Sequence, residues 1–161
     1  PWIDTERMAA GGGSYGGYLT SIILGRDQPF KALVAHAAVY NWYTQVGADY
    51  SYETPRFGGF WTEDQQRVFR TGSPHYGAAN FDTPTLVVHG QRDYRVPVNH
   101  GIELYQALLQ KGVPTRFVYF PDENHWVLKP ANSLVWYREV QQWLARHALG
   151  QETTAAAPAA R

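Results

Sequence analysis

An α/β fold, with a mostly parallel sheet and helices on both faces, is predicted by three features of the sequence. Apolar runs of strand length alternate with amphipathic stretches four times after a glycine cluster at 11–13. The runs are continuously apolar, which is typical of strands buried on both faces. No internal repeat competes with this interpretation. Such alternation predicts parallel strands joined by right-handed crossovers, with functional sites at the carboxyl ends of the strands.

The first half of the predicted sheet and its first helix follow from simple local patterns. A strand is predicted at 7–12, because a short apolar run enters the glycine cluster, which a helix would not tolerate. A helix follows at 15–24, where apolar residues recur at helical spacing, and Gly25 stands where the residue after a helix is often glycine. The second strand is predicted at 31–39, a continuous apolar run.

The segment 41–76 is rich in aromatic residues and is broken by glycines and prolines, so it is predicted to be irregular. One short helix is expected inside it, with Thr62 as its N-cap and Phe69 near its end. Acidic residues in the first turn favour this helix through its dipole. The third strand is predicted at 85–89, directly after Pro84.

The C-terminal part is predicted to form a helix at 98–111, a strand at 115–120 and a helix at 133–147. Five apolar side chains are expected to face inward from the first of these helices: Ile102, Leu104, Tyr105, Leu108 and Leu109. One folded unit is therefore expected over 1–149. The Ala-rich remainder at 150–161 has nothing to bury and is predicted to be a disordered tail.

Composition excludes several classes of protein. The 161 residues include 14 acidic and 14 basic side chains, so no net charge draws the chain to nucleic acid. No apolar run approaches the roughly 18 to 20 residues of a membrane helix, so a soluble protein is expected. The absence of cysteine excludes a disulfide framework and leaves cytoplasm and periplasm both open. No histidine pair has metal-ligand spacing, so neither a metal nor another cofactor is expected.

Residues 12–16 match the pattern G-x-S-x-G and join the first predicted strand to the first predicted helix. A sharp turn there would raise the Ser14 hydroxyl above the sheet, and side chains at the flanking glycine positions would collide with neighbouring elements. The backbone N–H of Tyr15 would face negative charge developing on a substrate. Two alternatives are a glycine-rich turn that permits packing or holds a phosphate, and a dinucleotide-binding turn. The second is disfavoured because no acidic residue follows about 20 residues on.

A serine nucleophile needs a base and an acid that orients the base. The loop after the third predicted strand has Asp93 as its only carboxylate, and the loop after the fourth has His125 as its only histidine. The chain order of serine, acid and histidine is that of α/β-hydrolases. Taken singly, Asp93 is a capping or surface aspartate and His125 a histidine packed on Trp126. Their coincidence with the serine turn favours a catalytic triad.

The remaining histidines and the acids beside His125 are assigned structural roles. His36 is expected to be a core residue within its strand, and His89 to brace the loop that carries the acid. Asp122 and Glu123 are expected to lie on a solvated loop face. Loop or solvated-helix positions are expected for the other three histidines: His75, His100 and His147.

The motifs lie in three longer stretches, GGGSYGGY, GQRDYRVP and YFPDENHWVLKPANSLVWYREVQQWL. These stretches resemble the three catalytic blocks of the prolyl oligopeptidase family of serine peptidases, over about 3–146. The last is most similar to the acylaminoacyl-peptidase and dipeptidyl-peptidase-five-like branch. The resemblance implies an α/β-hydrolase fold with Ser14 as nucleophile, Asp93 as acid and His125 as base. It also implies that Tyr15 supplies a backbone oxyanion donor and that no cofactor is required.

The resemblance further implies which residues bind the substrate. Arg95 matches a position that in several relatives holds a polar side chain in contact with the substrate's backbone carbonyl, where an arginine can donate charge-assisted hydrogen bonds. A surface arginine stacked on Tyr94 is the alternative. Val39 and Trp42 lie in a stretch that resembles the lining of the family's first specificity pocket. Ordinary core packing is the alternative for both.

The chain departs from the family pattern at its beginning. Family members carry an N-terminal β-propeller and then a hydrolase domain whose first strands precede the serine turn, whereas here the turn arrives at Ser14 and no Met opens the chain. We therefore expect the C-terminal part of a catalytic domain, with its N-terminal strands missing. The second oxyanion donor would lie in the missing part. That part is one expected partner, short peptides are another, and a homo-oligomer stays open.

The sequence as a whole predicts a serine peptidase that hydrolyses short peptides through an acyl-enzyme. Two alternatives stay open. One keeps the fold and changes the substrate, giving a carboxylesterase or acyl hydrolase. The other is a truncated, catalytically incompetent fragment that acts as an interaction module, because strands lost from the sheet would leave an unpaired edge.

Overall fold

A computed structural model of the chain describes residues 2–49 and 58–151. The strands are Ala9–Gly13 (β1), Ala32–His36 (β2), Thr85–Gly90 (β3) and Thr115–Phe120 (β4). The helices are Tyr15–Leu24 (α1), Trp42–Gln45 (α2), Glu63–Gly72 (α3), Asn99–Gln110 (α4) and Pro130–His147 (α5). Two further segments form 3₁₀ turns, Thr5–Arg7 and Pro74–Asn80.

The four strands form one parallel sheet in the order β1-β2-β3-β4. Their carboxyl ends align, since Gly13 pairs with His36, His36 with Val88, and Gly90 with Phe120. The loops that follow the four strands therefore meet at one edge of the sheet. This is the edge at which the sequence places the predicted site.

Helices cover both faces of the sheet. On one face, Leu24 of α1 packs in a cluster with Leu104 and Leu108 of α4, and all three are fully buried. On the other face, Trp143 of α5 packs against strand residues such as Leu86. Each fully buried leucine contributes about 1.5–3 kcal/mol relative to exposure. The predicted α/β architecture, with a parallel sheet and helices on both faces, is confirmed.

Two predictions made for individual elements are wrong. The second strand was expected over 31–39, but it ends at His36, because Ala37 has a φ of 45° that turns the chain out of the sheet. His36 therefore ends its strand and does not lie within it. In α4, Ile102 and Leu109 were expected to face inward but are 42% and 46% exposed. Leu104 and Leu108 lie in the core, and Tyr105 packs against it partly buried, so three of the five predicted residues face inward.

The region between the second and third strands contains more helix than predicted. Thr62 is the N-cap of α3, and its Oγ1 accepts a hydrogen bond from the Gln65 amide, as expected, but the helix continues to Gly72. The short helix α2 was not predicted. Most of the predicted tail at 150–161 lies outside the described residues. Within the described ranges, no helix has both the length and the apolar character needed to cross a bilayer.

Candidate active site

Ser14, the predicted nucleophile, occupies a strained turn between β1 and α1. Its φ of 57° and ψ of −118° lie outside the regions that a residue with a side chain normally adopts. Two backbone hydrogen bonds hold the turn: the Ser14 amide donates to the His36 carbonyl at 3.0 Å, and the Tyr18 amide donates to the Ser14 carbonyl at 2.9 Å. The strand-turn-helix context predicted for the motif is therefore present.

Only some of the glycines around Ser14 stand where a side chain would collide with the backbone. A Cβ on Gly12 would lie 2.5 Å from the backbone carbon of Gly16, so the predicted collision occurs there. At Gly16 the expectation of a collision is wrong, because a Cβ would meet nothing within 4 Å. The second tight position is Gly17, where a Cβ would lie 2.7 Å from the His36 carbonyl oxygen. The first turn of α1, which follows Ser14, therefore packs directly on the end of β2.

Asp93 lies in the loop after β3, and its carboxylate is almost completely buried. Its Oδ1 accepts hydrogen bonds from the amides of Arg95 at 3.0 Å and Val96 at 2.8 Å. Its Oδ2 lies 2.8 Å from Nδ1 of His125 and 3.4 Å from Nε2 of His89. Burial alone would raise the pKa of Asp93, but these donors hold that pKa well below its usual range. The carboxylate is therefore ionised at neutral pH.

His125 follows β4 and uses one ring nitrogen to bind Asp93. Its ring also packs edge-on against Trp126, with centroids 5.0 Å apart, so the packing alternative and the acid contact both occur. The bond to Asp93 occupies Nδ1 and leaves Nε2 as the nitrogen that can exchange a proton. No hydrogen bond joins His125 to the Ser14 hydroxyl in the part of the chain that is described. Such bonds often tighten only when a substrate binds.

A cavity of about 500 Å³ opens at the carboxyl edge of the sheet. Its volume lies in the range of small-molecule sites. Asp93 does not line the cavity itself but is hydrogen-bonded to His125, which does. Among residues 2–49 and 58–151, no group of three His, Asp or Glu side chains is arranged to hold a metal ion. Six predicted site residues line the cavity: Ser14, Tyr15, Val39, Trp42, Arg95 and His125.

Trp42 forms the aromatic wall of the cavity, and contacts on the side away from the cavity hold it in place. The Trp42 indole donates a hydrogen bond to the Gly72 carbonyl at 3.1 Å, and the Tyr18 hydroxyl donates to the same oxygen at 2.9 Å. The Tyr18 and Trp42 rings also meet edge to face, with centroids 5.5 Å apart. Val39 is buried in the segment that follows β2. Val39 and Trp42 thus both lie at this cavity, and Val39 is buried as a core residue is.

Arg95 forms an ion pair at the rim of the cavity. Its Nε donates to Oδ1 of Asp49 at 3.0 Å, and both side chains are about half exposed. The Asp49 amide in turn donates to the Tyr94 carbonyl at 2.7 Å, and the Arg95 carbonyl accepts from the Gln45 side chain at 2.9 Å. The acid loop is thus tied to the segment that carries the aromatic wall, and an arginine is placed at the cavity mouth.

The position of Glu123 differs from the one expected from the sequence. It was expected on a solvated loop face, but it is 3% exposed and accepts hydrogen bonds from the amides of Leu128 and Lys129 and from Asn132. Burial opposes its ionisation, yet these bonds lower the pKa of Glu123. Asp122 is the solvated member, bound to Lys129 and Asn132. Glu123 therefore fixes the loop of His125 to the start of α5.

His100 corrects another expectation. It was expected at a loop or solvated-helix position, but it is fully buried in the first turn of α4. Its Nδ1 accepts hydrogen bonds from the amides of Tyr40 at 3.1 Å and Asn41 at 3.3 Å. Burial lowers the pKa of His100 to about 3. His100 thereby anchors the segment between Val39 and Trp42. No spacing in the sequence indicated this contact, which joins residues 60 positions apart.

Two further histidines surround the predicted site. His36 is largely buried, its Nε2 has no hydrogen-bond partner within the described residues, and burial lowers the pKa of its ring to about 4. His89 is fully buried and lies 2.8 Å from the Val96 carbonyl oxygen through Nε2. The expectation that His89 braces the acid loop is confirmed.

Residues 1–151 match the Prolyl oligopeptidase family. A curated relative, the probable dipeptidyl-peptidase 5 of Aspergillus clavatus, is 41% identical over 152 residues, which is 91% of this chain and 21% of the relative. The dipeptidyl-peptidase 5 of Aspergillus fumigatus is 39% identical over 151 residues. The chain therefore spans about a fifth of the length of the curated relatives it matches.

Solved structures share the fold. The chain superposes on the acylaminoacyl peptidase of Pyrococcus horikoshii with a TM-score of 0.83 and 24% identity, over 95% of this chain and 26% of that one. It superposes on Porphyromonas gingivalis dipeptidyl peptidase 4 with a TM-score of 0.79 and 28% identity, over 91% and 20% of the two chains. Since the family match extends over nearly its whole length, this chain belongs to the prolyl oligopeptidase family.

Proposed function

We propose that this chain carries the catalytic triad of a serine peptidase that hydrolyses short peptides. The arrangement of Ser14, His125 and Asp93 supports this most directly. The strained serine and the histidine line one cavity at the carboxyl edge of the sheet, and the histidine is bound to a buried, ionised acid. Membership of the prolyl oligopeptidase family supports the same chemistry.

In the first half of the proposed reaction, the Ser14 hydroxyl attacks the substrate carbonyl and its proton passes to Nε2 of His125. The Asp93 carboxylate holds the ring through Nδ1 and stabilises the imidazolium that forms. The Tyr15 amide, at the start of α1, donates to the oxyanion of the tetrahedral intermediate. The free backbone amides at this helix end add a partial positive charge.

In the second half, His125 gives its proton to the leaving amine, and water then hydrolyses the acyl-enzyme by the same route. All the groups that move protons in this cycle are side chains of this chain. No cofactor takes part. The resemblance to the family implies a second oxyanion donor in a segment outside this chain, which spans about a fifth of the length of the curated relatives it matches.

The cavity suggests how a peptide is held. Val39 and Trp42 form an apolar wall for a substrate side chain, and the Arg95 guanidinium donates to a backbone carbonyl of the substrate. The similar proteins include dipeptidyl and acylaminoacyl peptidases. We assign residues 1–149 to the C-terminal portion of an α/β-hydrolase domain in a longer peptidase of one of these types.

The test is labelling with a fluorophosphonate, which reacts with an activated serine. The full-length protein is expected to incorporate one label on Ser14, and Ser14→Ala is expected to abolish labelling. Ser133→Ala is the matched control, because that hydroxyl donates to the Val127 carbonyl in a loop outside the cavity, and it is expected to label normally. Labelling at another residue, or none in the full-length protein, would contradict the proposal.

A panel of substrates separates a peptidase from an esterase of the same fold. Peptide anilides and short acyl esters are compared by kcat/KM on the full-length protein. The Asp49–Arg95 pair at the cavity mouth favours a substrate with backbone carbonyls beyond the scissile bond. Turnover of peptide anilides is therefore expected, and turnover of esters alone would favour the carboxylesterase.

A further inference from the structure

The buried carboxylate of Asp93 faces two imidazole rings. One belongs to His125, whose Nδ1 lies 2.8 Å from Oδ2. The other belongs to His89, whose Nε2 lies 3.4 Å from the same oxygen and which the reaction described above does not use. His89 is fully buried at the end of β3, so this contact is shielded from bulk solvent.

The position of the proton on His89 follows from its neighbours. Nε2 lies 2.8 Å from the Val96 carbonyl oxygen, which can only accept a hydrogen bond, so Nε2 carries the proton. Nδ1 has no hydrogen-bond partner among the described residues. The backbone of α4 closes over this side of the ring, since a Cβ on Gly101 would lie 2.7 Å from Nδ1. The ring is therefore held with its N–H between the Val96 carbonyl and Asp93.

Two other histidines near His89 are uncharged near neutral pH. His36 at the end of β2 and His100 on α4 both interact electrostatically with His89. Burial lowers the pKa of His36 to about 4 and that of His100 to about 3. Between pH 5 and 8, therefore, Asp93 is the charged group in contact with His89. Around His125 the charged side chains are Asp93, the nearby Glu123, and the cavity residues Asp49, Arg92 and Arg95.

We propose that His89 is a positioning residue of the site: its Nε2–H shares the Asp93 carboxylate with His125 and links that carboxylate to the Val96 carbonyl. This inference rests on the proposed function, in which Asp93 orients the base. The second donor fixes the direction of Oδ2 and takes up part of the carboxylate charge. Without it, more negative charge would face His125, so the acid limb of the pH profile of activity is expected to move to higher pH.

Two substitutions in the full-length protein separate this role from packing. His89→Leu removes the donor and keeps an apolar side chain of similar size. His89→Gln places an amide N–H at the position of Nε2 and so restores the donor. The pH dependence of kcat/KM is measured with a peptide anilide, together with the downfield proton resonance of the bond between His125 and Asp93.

In the leucine variant, kcat is expected to fall about tenfold while KM changes less than about twofold, because His89 does not touch the substrate. The acid limb of its pH profile is expected to move upward by about half a unit, and the downfield resonance is expected to shift. The glutamine variant is expected to restore both. His147→Gln, at the last residue of α5 and outside the cavity, is the control. Its ring packs on Trp143, so stability can change, but the pH profile and the resonance are expected to match those of the unaltered protein.

Three results would overturn the inference: an acid limb and resonance unmoved in His89→Leu, a glutamine variant as impaired as the leucine variant, or a loss that affects KM alone. If His89→Leu does not fold, His89→Asn replaces it, because its amide ends too short to reach Asp93. The resonance does not depend on turnover. A protein that hydrolyses nothing but whose resonance moves as described would contradict the proposed function and still support the contact between His89 and Asp93.

Discussion

Ser14 is held in a conformation that costs about 1–3 kcal/mol, and the residues beside it make that conformation possible. The close approach of Gly12 to Gly16 lets the strand enter the helix without a gap. The serine side chain is then directed away from the sheet, toward the cavity that His125 also lines. Backbone packing therefore holds Ser14 in its strained conformation, and the hydrogen bond from the Ser14 amide to the His36 carbonyl helps to hold it there.

Alanine substitutions are expected to destabilise the protein at Gly12, where the backbone is close, but not at Gly16, where there is open space. Gly12→Ala places a Cβ 2.5 Å from the Gly16 backbone, so the free energy of unfolding is expected to fall by more than about 2 kcal/mol and fluorophosphonate labelling to be lost. Gly16→Ala is the matched comparison. It meets open space and replaces a helical glycine, so its stability is expected to stay equal or to rise by up to about 1 kcal/mol.

Both variants are compared by urea unfolding followed through tryptophan fluorescence. Equal destabilisation of the two variants would contradict this account of the turn. So would a Gly12→Ala variant that unfolds at the same urea concentration as the unaltered protein.

Among the elements, the sheet and the serine, acid and histidine loops could be predicted, because strand length and loop order are local properties of the sequence. The burial of His100 and Glu123 could not. Each lies at a position that is usually exposed, at the start of a helix or in a loop. His100 is buried because α4 packs against the segment after β2, and Glu123 because its loop folds back on α5. The spacing of residues along the chain does not indicate such tertiary contacts.

The contact between α4 and the segment after β2 is expected to make the protein acid-sensitive. The pKa of His100 is lowered to about 3 in the folded chain, against about 6.5 when unfolded. Between these values the unfolded chain binds more protons, so the free energy of unfolding falls as the pH drops. His100 alone is expected to account for a loss of about 2 kcal/mol from pH 7 to pH 5. His36, with a pKa near 4, adds to it.

His100→Asn isolates this contribution, because the Asn oxygen takes the place of Nδ1 and accepts from the Tyr40 and Asn41 amides without titrating. Urea unfolding at pH 7 and pH 5 is the measurement. The variant is expected to lose about 2 kcal/mol less than the unaltered protein over this range. An identical loss in both would show that His100 does not titrate on unfolding.

At the scale of the whole molecule, the sheet has one incompletely covered side. In β1, residues alternate between exposed and half-buried, whereas β3 is buried throughout. A groove of about 300 Å³ runs beside β1 and is lined by apolar residues of α5, including Trp136 and Val140. No strand pairs with the outer edge of β1 within residues 2–49 and 58–151. An open parallel edge beside an apolar groove is a template for pairing with another chain.

The 161-residue chain by itself is therefore expected to self-associate through β1. Ala9→Lys places a charge on the exposed edge and is expected to reduce association, because a charged edge strand resists pairing. Gln106→Lys adds the same charge on the exposed face of α4 and serves as the matched control. Sedimentation velocity over a range of concentrations measures the effect. A stable monomer that also labels with fluorophosphonate would contradict the incompetent-module alternative, because the open edge would then neither drive association nor prevent reaction at Ser14.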